Sequence, residues 1–321
     1  MSSKPVIDIG RLIGPDAKRT AEMEALWAWI EEEDANFPNP ETLPIDEQRR
    51  LIVKLNERWN VDQPQLAETR RIEVAGPAGP IACEWMAPTG ARAGALLYIH
   101  GGGWAVCNLD THRRLARLLA VRTGLCVLSV DYRLAPEHPF PAGLTDCVAA
   151  WRWLAGNRQD PFIAAGDSAG ANLALALALH EIQAARPAPD GLLCFYGAYT
   201  ADLDSLSAKR FAEGYGLTRT RMEQFWNWYA SPEARADPLV APVEASEAML
   251  AKLPPLFLNA AGLDVLLSDT LALAERLDAA EADYELVIHE GVHHGFMMYS
   301  PRLEEANVAI EKAAGFARKI V

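Results

Sequence analysis

A serine flanked by glycines lies where a buried strand is predicted to pass into a helix. Residues 166–170 read Gly-Asp-Ser-Ala-Gly, directly after the apolar run 162–165 and before an Ala- and Leu-rich stretch. A G-x-S-x-G turn in this context strains the serine backbone and exposes the hydroxyl, and the helix N-terminus behind it favours developing negative charge. Ser168 is therefore predicted to be a nucleophile. The alternative is a simple helix cap, a position that serine also favours.

Three successive glycines follow the predicted strand 95–99. Residues 100–104 read His-Gly-Gly-Gly-Trp. Glycines leave room for backbone N–H groups to point into a cavity, and acyl transfer needs such donors to stabilise an oxyanion. Together with the residue after the nucleophile, the pattern predicts Gly102, Gly103 and Ala169 as the oxyanion hole. The alternative is a phosphate-binding loop, but neither glycine-rich phosphate signature can be drawn through this segment. We expect His100 to hold the loop through backbone hydrogen bonds.

A serine nucleophile also requires a general base and a carboxylate that orients the base. His293 and His294 follow the last predicted strand, 284–289, on a loop at the sheet edge where parallel sheets bind their ligands. Asp264 comes directly after the preceding predicted strand, 256–260. Adjacent histidines could instead bind a metal, but no H-E-x-x-H motif or carboxylate-rich cluster accompanies them. We therefore expect neither a metal nor a cofactor.

The elements that must position these residues alternate along the chain. From about residue 70 onwards, short apolar runs alternate with helical stretches, which predicts a mostly parallel sheet covered by helices on both faces, an α/β fold. The first two strands are expected to form an antiparallel pair, because a Gly- and Pro-rich turn separates them. The predicted strands are 71–74, 81–86, 95–99, 125–130, 162–165, 192–196, 256–260 and 284–289.

Two segments do not follow this alternation and are predicted to form a helical cap. These are residues 1–65 and 200–250, which leave 66–199 and 251–321 as the α/β core. Aromatic and methionine side chains near the predicted site could line an apolar pocket, or they could simply pack the cap. They are Trp27, Trp29, Trp104, Phe211, Tyr215, Met222, Trp226, Met297 and Met298. As substrate contacts we predict Trp104, Tyr199, Phe211 and Met297.

Composition excludes several classes of partner. The chain has 321 residues and a net charge of −13, so it is expected to repel nucleic acids and anionic membrane surfaces. Neither a secretory signal nor a membrane-spanning stretch is recognisable. The five cysteines are odd in number and lack a C-x-x-C pair, which favours a reduced, cytoplasmic protein.

Four segments carry a resemblance to a known family. They are His-Gly-Gly-Gly-Trp at 100–104, the Asp-Tyr-Arg-Leu-Ala-Pro stretch that opens 131–142, Gly-Asp-Ser-Ala-Gly at 166–170 and His-Gly-Phe at 294–296. From about residue 70 to its C-terminus the chain resembles the hormone-sensitive-lipase-like esterases, also called bacterial family IV. The resemblance implies an α/β-hydrolase fold with an eight-stranded, mostly parallel sheet. It also implies that the base is the histidine immediately before Gly-Phe, His294, and that the acid is Asp264.

The same resemblance implies a function. It is that of a serine carboxylesterase acting on short- to medium-chain esters through an acyl-enzyme, with a small-molecule ester as the substrate and a homodimer through the last strand. Two alternatives remain open. An amidase uses the same three residues, and a binding protein on the same fold would have lost its base, which is present here.

Overall fold

The computed structural model describes residues 8–157 and 161–321, in which eight strands form one sheet. The strand order is β1-β2-β4-β3-β5-β6-β7-β8, and all neighbours pair parallel except β1 with β2 and β2 with β4. The bounds are β1 Glu68–Gly76, β2 Gly79–Ala87, β3 Ala95–Ile99, β4 Cys126–Val130, β5 Phe162–Asp167, β6 Gly191–Phe195, β7 Leu256–Leu263 and β8 Tyr284–His293. The predicted fold class, a mostly parallel eight-stranded sheet flanked by helices, is confirmed.

Helices cover both faces of this sheet. The described helices are α1 Ile9–Ile13, α2 Ala21–Asp34, α3 Ile45–Asn56, α4 Arg113–Thr123, α5 Ala142–Asn157, α6 Ala169–Gln183, α7 Leu206–Arg210, α8 Arg219–Tyr229, α9 Glu247–Leu250, α10 Leu267–Ala279 and α11 Glu304–Ile320. Side chains of α5, α6 and α10 pack in one apolar layer, and those of α2, α4 and α11 pack in the other. Successive residues of a central strand enter opposite layers, as Leu96 and Leu97 do, because side chains alternate along a strand.

The last strand is longer than its sequence pattern indicates. The prediction ended it at residue 289, with His293 on the following loop, whereas β8 continues through His293. A bulge in β8 shifts the register: residues 290–292 lie opposite the single β7 residue Gly262, and Leu263 then pairs with His293. A bulge re-aims a strand without interrupting it. His294 is consequently the first residue beyond the sheet.

Two groups of helices lie outside the strand–helix alternation. Helices α2 and α3 precede β1, and α7, α8 and α9 lie between β6 and β7. Helix α2 buries Met23, Leu26 and Ile30, and α8 buries Met222, Phe225, Trp226 and Tyr229. None of the helices within 8–157 and 161–321 has both the length and the apolar character that crossing a membrane requires.

Candidate active site

Ser168 occupies a strained turn between β5 and α6. Its backbone has φ 55° and ψ −121°, a combination that residues with a side chain rarely adopt. The turn is held because the Ser168 N–H donates to the Phe195 carbonyl of the neighbouring strand at 2.8 Å. A Cβ on Gly170 would lie 2.0 Å from the Ile99 carbonyl oxygen, so only glycine allows the helix to approach β3 this closely. The sequence therefore dictates both the sharp turn and the placement of the hydroxyl.

Two hydrogen bonds connect three side chains that are far apart in the sequence. His294 Nε2 lies 2.9 Å from Ser168 Oγ, and His294 Nδ1 lies 2.7 Å from Asp264 Oδ2. Asp264 follows β7 directly and is 1% exposed. Its other oxygen, Oδ1, accepts the Leu266 N–H at 2.9 Å, which fixes the carboxylate plane. The three residues selected from the sequence are thus brought together in a chain of donors and acceptors.

Asp269, a second carboxylate five residues after Asp264, makes different contacts. It lies inside α10. Its Oδ2 accepts the backbone N–H groups of Tyr199 and Thr200 at 3.0 and 3.1 Å. Asp269 therefore stabilises the chain after β6, and it does not contact His294.

The glycine loop leaves backbone amides free next to the serine. Gly102 has φ 110° and Gly103 has φ 57°, and a Cβ on Gly103 would lie 2.3 Å from the Phe225 ring. Among the described residues, no hydrogen-bond acceptor is found for the N–H of either glycine. Ala169 is the first residue of α6, where an N–H has no partner within the helix. The three predicted amides are therefore available to an oxygen atom of a ligand.

Asp167, which the sequence analysis did not single out, joins the serine turn to the glycine loop. It is 3% exposed, and its Oδ1 accepts the Tyr98 hydroxyl at 2.7 Å and the Gly101 N–H at 2.9 Å. Its Oδ2 lies 3.3 Å from His112 Nε2. Burial raises the pKa of Asp167, but His112 and the Tyr98 hydrogen bond outweigh burial, so the pKa lies below its usual value. The sequence signal that could have identified Asp167 is the presence of a charged residue between Gly166 and Ser168.

His100 supports the same loop from below. Its Nδ1 lies 2.7 Å from the Gly101 carbonyl oxygen, and its ring stacks on Tyr132 at a centroid distance of 4.4 Å. The Tyr132 hydroxyl donates to the His100 carbonyl at 3.0 Å. Burial lowers the pKa of His100 to about 3, so the ring is neutral. The structural role expected for His100 agrees with these contacts.

A cavity of about 380 Å³ opens above Ser168. Its floor contains Ser168, His294, Gly102 and Gly103. Its walls come from both helical groups outside the alternation. Helices α2 and α3 with the turn that follows contribute Trp27, Ile30, Ile52, Leu55 and Trp59, and the segment around α8 contributes Leu217, Met222 and Phe225. The cavity is thus mainly apolar apart from the groups at its floor and a few polar side chains.

The predicted substrate contacts need correction. None of Trp104, Tyr199, Phe211 and Met297 lines this cavity, and each is at most 1% exposed. Trp104, for example, stacks on Tyr229 with a centroid distance of 4.2 Å. Large apolar residues fit a buried layer as well as a pocket wall, so residue type alone could not separate the two. Of the wider set of aromatic and methionine candidates, Trp27, Met222 and Met298 do line the cavity.

No group of three or more His, Cys, Asp or Glu side chains is arranged to hold a metal ion within 8–157 and 161–321.

A serine on a strained strand-to-helix turn, hydrogen-bonded to a histidine that is bonded in turn to an aspartate, both at the ends of later strands, is typical of the α/β-hydrolase class. The sequence pattern of the alpha/beta hydrolase fold family matches residues 96–298. The chain therefore belongs to the alpha/beta hydrolase fold family. The resemblance to hormone-sensitive-lipase-like esterases is confirmed.

Solved structures of similar proteins agree with this assignment. The chain is 32% identical to an ester hydrolase from the metagenome of Lake Arreo, solved with a bipyridine phosphonate derivative, with a TM-score of 0.88 over 94% of this chain and 98% of that one. It is 30% identical to a hyperthermophilic esterase from the archaeon Pyrobaculum calidifontis, with a TM-score of 0.82 over 87% and 94%. A thermostable esterase from Pseudomonas putida is 26% identical, with a TM-score of 0.87 over 94% and 97%.

Proposed function

We propose that this chain, a carboxylic ester hydrolase, acts through Ser168 as nucleophile, His294 as general base and Asp264 as the residue that orients the base. The observation that carries this proposal is the pair of hydrogen bonds at His294, 2.9 Å to the hydroxyl and 2.7 Å to the carboxylate. Because the Asp264 carboxylate accepts a hydrogen bond from Nδ1 of His294, it favours the tautomer with the proton on Nδ1, in which Nε2 can accept a proton. The names of the similar solved structures support carboxylic esters as the substrates.

The proposed reaction has two matched halves. His294 Nε2 accepts the Ser168 proton while Oγ bonds to the ester carbonyl carbon, and the carbonyl oxygen becomes an oxyanion. The amides of Gly102, Gly103 and Ala169 hold this oxyanion, and each such donor contributes roughly 10²–10³ in rate. The alcohol then leaves with the proton from His294. Water attacks the acyl-enzyme in the same way, which releases the carboxylic acid and restores the serine.

The cavity bears on substrate size. At about 380 Å³ it lies near the lower end of small-molecule pockets, which span roughly 300–1,000 Å³. We propose that helices α2 and α3 and the 200–250 segment act as a cap, because both contribute to the cavity walls. An apolar chamber of this volume favours short- to medium-chain acyl groups. Rates on p-nitrophenyl acetate, butyrate, octanoate and palmitate test this, and a maximum at palmitate would refute it.

Covalent labelling tests the nucleophile directly. A fluorophosphonate probe is expected to label the wild-type chain, and Ser168→Ala is expected to abolish both labelling and ester hydrolysis. Ser246→Ala is the matched control, because Ser246 is exposed and its side chain makes no capping hydrogen bond. Matched ester and amide substrates distinguish an esterase from an amidase. Labelling that persists in Ser168→Ala would refute the assignment.

A further inference from the structure

We propose that Arg49, on α3, is a positioning residue for the oxyanion loop, here defined as residues 102–106. This inference rests on the proposed function, because the loop matters only if its amides bind an oxyanion. Arg49 does not line the cavity, so any effect on the reaction must act through other residues. The residue precedes β1 and lies outside the segments that carry the family resemblance.

Arg49 uses its guanidinium to join two separate loops. Nε donates to the Ala105 carbonyl at 2.9 Å, and Nη2 donates to the Ala135 carbonyl at 2.9 Å. Nη1 and Nη2 also donate to the two carboxylate oxygens of Glu137 at 2.8 and 2.7 Å. The side chain is 24% exposed, so these charge-assisted bonds are partly shielded from water. One planar group therefore donates to four acceptor atoms on three residues.

The Ala105 contact reaches the glycine amides through a short tight turn. The N–H groups of Ala105 and Val106 both donate to the Gly102 carbonyl, at 3.1 and 2.9 Å. The Ala135 N–H donates to the Trp104 carbonyl at 2.8 Å. Arg49 thus bonds the carbonyl of Ala105, which lies in the turn, and the carbonyl of Ala135, whose N–H bonds the turn at Trp104. These hydrogen bonds together hold the backbone that carries the two glycine amides.

The loop depends on such anchors because its glycines supply no side chains. Gly102 and Gly103 both have positive φ, a region where glycine moves with little steric restraint. Ala105 is fully buried, so its carbonyl would be unpaired if the guanidinium were removed. A buried carbonyl without a partner favours a shift of the backbone towards water. Such a shift rotates the adjoining peptide groups, including those that face the oxyanion.

A lysine is a poor substitute in this geometry. The ammonium of lysine is a single point charge, whereas the guanidinium presents donors in a fixed plane. Glu137 alone would be expected to attract a lysine outwards to the surface. Arg49→Lys therefore tests whether the geometry or the charge matters.

A purely structural role of Arg49, in which it only attaches α3 to the rest of the protein, predicts different kinetics. If Arg49 only docks α3, its loss disturbs the cavity wall, since Ile52 and Leu55 of the same helix line it. That would raise KM and leave kcat unchanged. Misplaced oxyanion donors instead lower kcat and weaken binding of an oxyanion mimic, while KM changes little.

The experiment compares Arg49→Met, Arg49→Lys and Glu137→Gln with the control Arg50→Met, an exposed arginine on the same helix. Hydrolysis of p-nitrophenyl butyrate gives kcat and KM. The inhibition constant of an alkyl trifluoromethyl ketone, which forms a hemiketal oxyanion on the serine, reports the oxyanion hole. We expect Arg49→Met and Arg49→Lys to lose at least about tenfold in both kcat and ketone affinity. Glu137→Gln and Arg50→Met are expected to stay within about twofold of wild type.

Either of two results overturns the proposal: unchanged ketone affinity in both Arg49 variants, or a rise in KM alone. If Arg49→Met does not fold, Arg49→Lys decides, because it keeps the charge that faces Glu137. Wild-type hydrolysis and its loss in Ser168→Ala are measured in the same series. An inactive wild type would refute the esterase function itself, whereas an active wild type with normal Arg49 variants would refute only the positioning role.

Discussion

His293, the neighbour of the proposed base, is predicted to make the protein acid-labile. It is fully buried, its Nε2 accepts the Arg19 Nε–H at 2.8 Å, and its ring meets Trp27 edge-on at 4.6 Å. Because the arginine always donates, His293 can accept this bond only as the neutral ring. Burial, with the charge of Arg19 as a smaller cause, lowers the pKa of His293 to about 3. His293→Gln removes the titrating group and keeps an acceptor for Arg19.

The magnitude follows from proton linkage. In the unfolded chain His293 has a pKa of about 6.5 and is largely protonated at pH 5, whereas the folded state keeps it neutral. Stability from this group is therefore complete above pH 7 and falls as the pH drops towards 3. Integrated from pH 7 to pH 5, the loss is about 2 kcal/mol of unfolding free energy. This loss of unfolding free energy is nearly the same for a folded-state pKa of His293 one unit higher, because either pKa lies below pH 5.

Urea unfolding at pH 7 and pH 5, at constant ionic strength, measures this loss. Other titrating groups contribute equally to wild type and variant, so the difference between their pH dependences isolates His293. We expect His293→Gln to lose about 2 kcal/mol less than wild type over this interval. His138→Gln, at an exposed histidine, is the control and should behave as wild type. Equal losses in wild type and His293→Gln would refute the neutral, buried state of this ring.

Three further predictions concern the site and the assembly. Asp264→Asn should lower kcat by about 10³–10⁴ without unfolding the protein, since an amide no longer fixes the base tautomer; near-normal turnover would exclude the assigned role. Gly103→Ala should abolish hydrolysis, and adding Phe225→Ala should restore little, because the positive φ remains strained after the clash is removed. We also propose a homodimer through β8, an edge strand; light scattering should show a dimer that Val287→Lys converts to a monomer, and a wild-type monomer would contradict it.

The fold and the strained turn at Ser168 were predictable because their signals are local. Apolar runs separated by helical stretches determine the sheet, and the glycines around Ser168 determine the turn. The residues alone left His293 and His294 open, and only the resemblance chose between them. The structure separates the two, since the bulge in β8 places His293 within the sheet and His294 beyond it. Gly291, a glycine with positive φ inside this strand, is the sequence signal that could have indicated the bulge.

The cavity wall was less predictable for a physical reason. Trp104 and Phe211 have the size and polarity expected of pocket residues, yet they pack in buried layers, whereas Trp27 and Met222 reach the cavity. Burial energy rewards any large apolar side chain in either place. Whether such a side chain lines the cavity depends on the three-dimensional path of the segments before β1 and between β6 and β7. The periodicity of apolar residues along the sequence does not determine that path.

The segment before β1 does more than cover the cavity, because two of its arginines donate hydrogen bonds next to the proposed chemistry, one to the oxyanion loop and one to the last residue of β8. Arg49 binds the backbone of the oxyanion loop, and Arg19 binds His293, the residue before the base. A parallel sheet fixes the ends of its strands, but residues beyond those ends depend on contacts from elsewhere in the chain. Here those contacts come from a part of the chain outside the strand–helix alternation. Substitutions in that segment should therefore alter turnover as well as the preference for substrates of a given size.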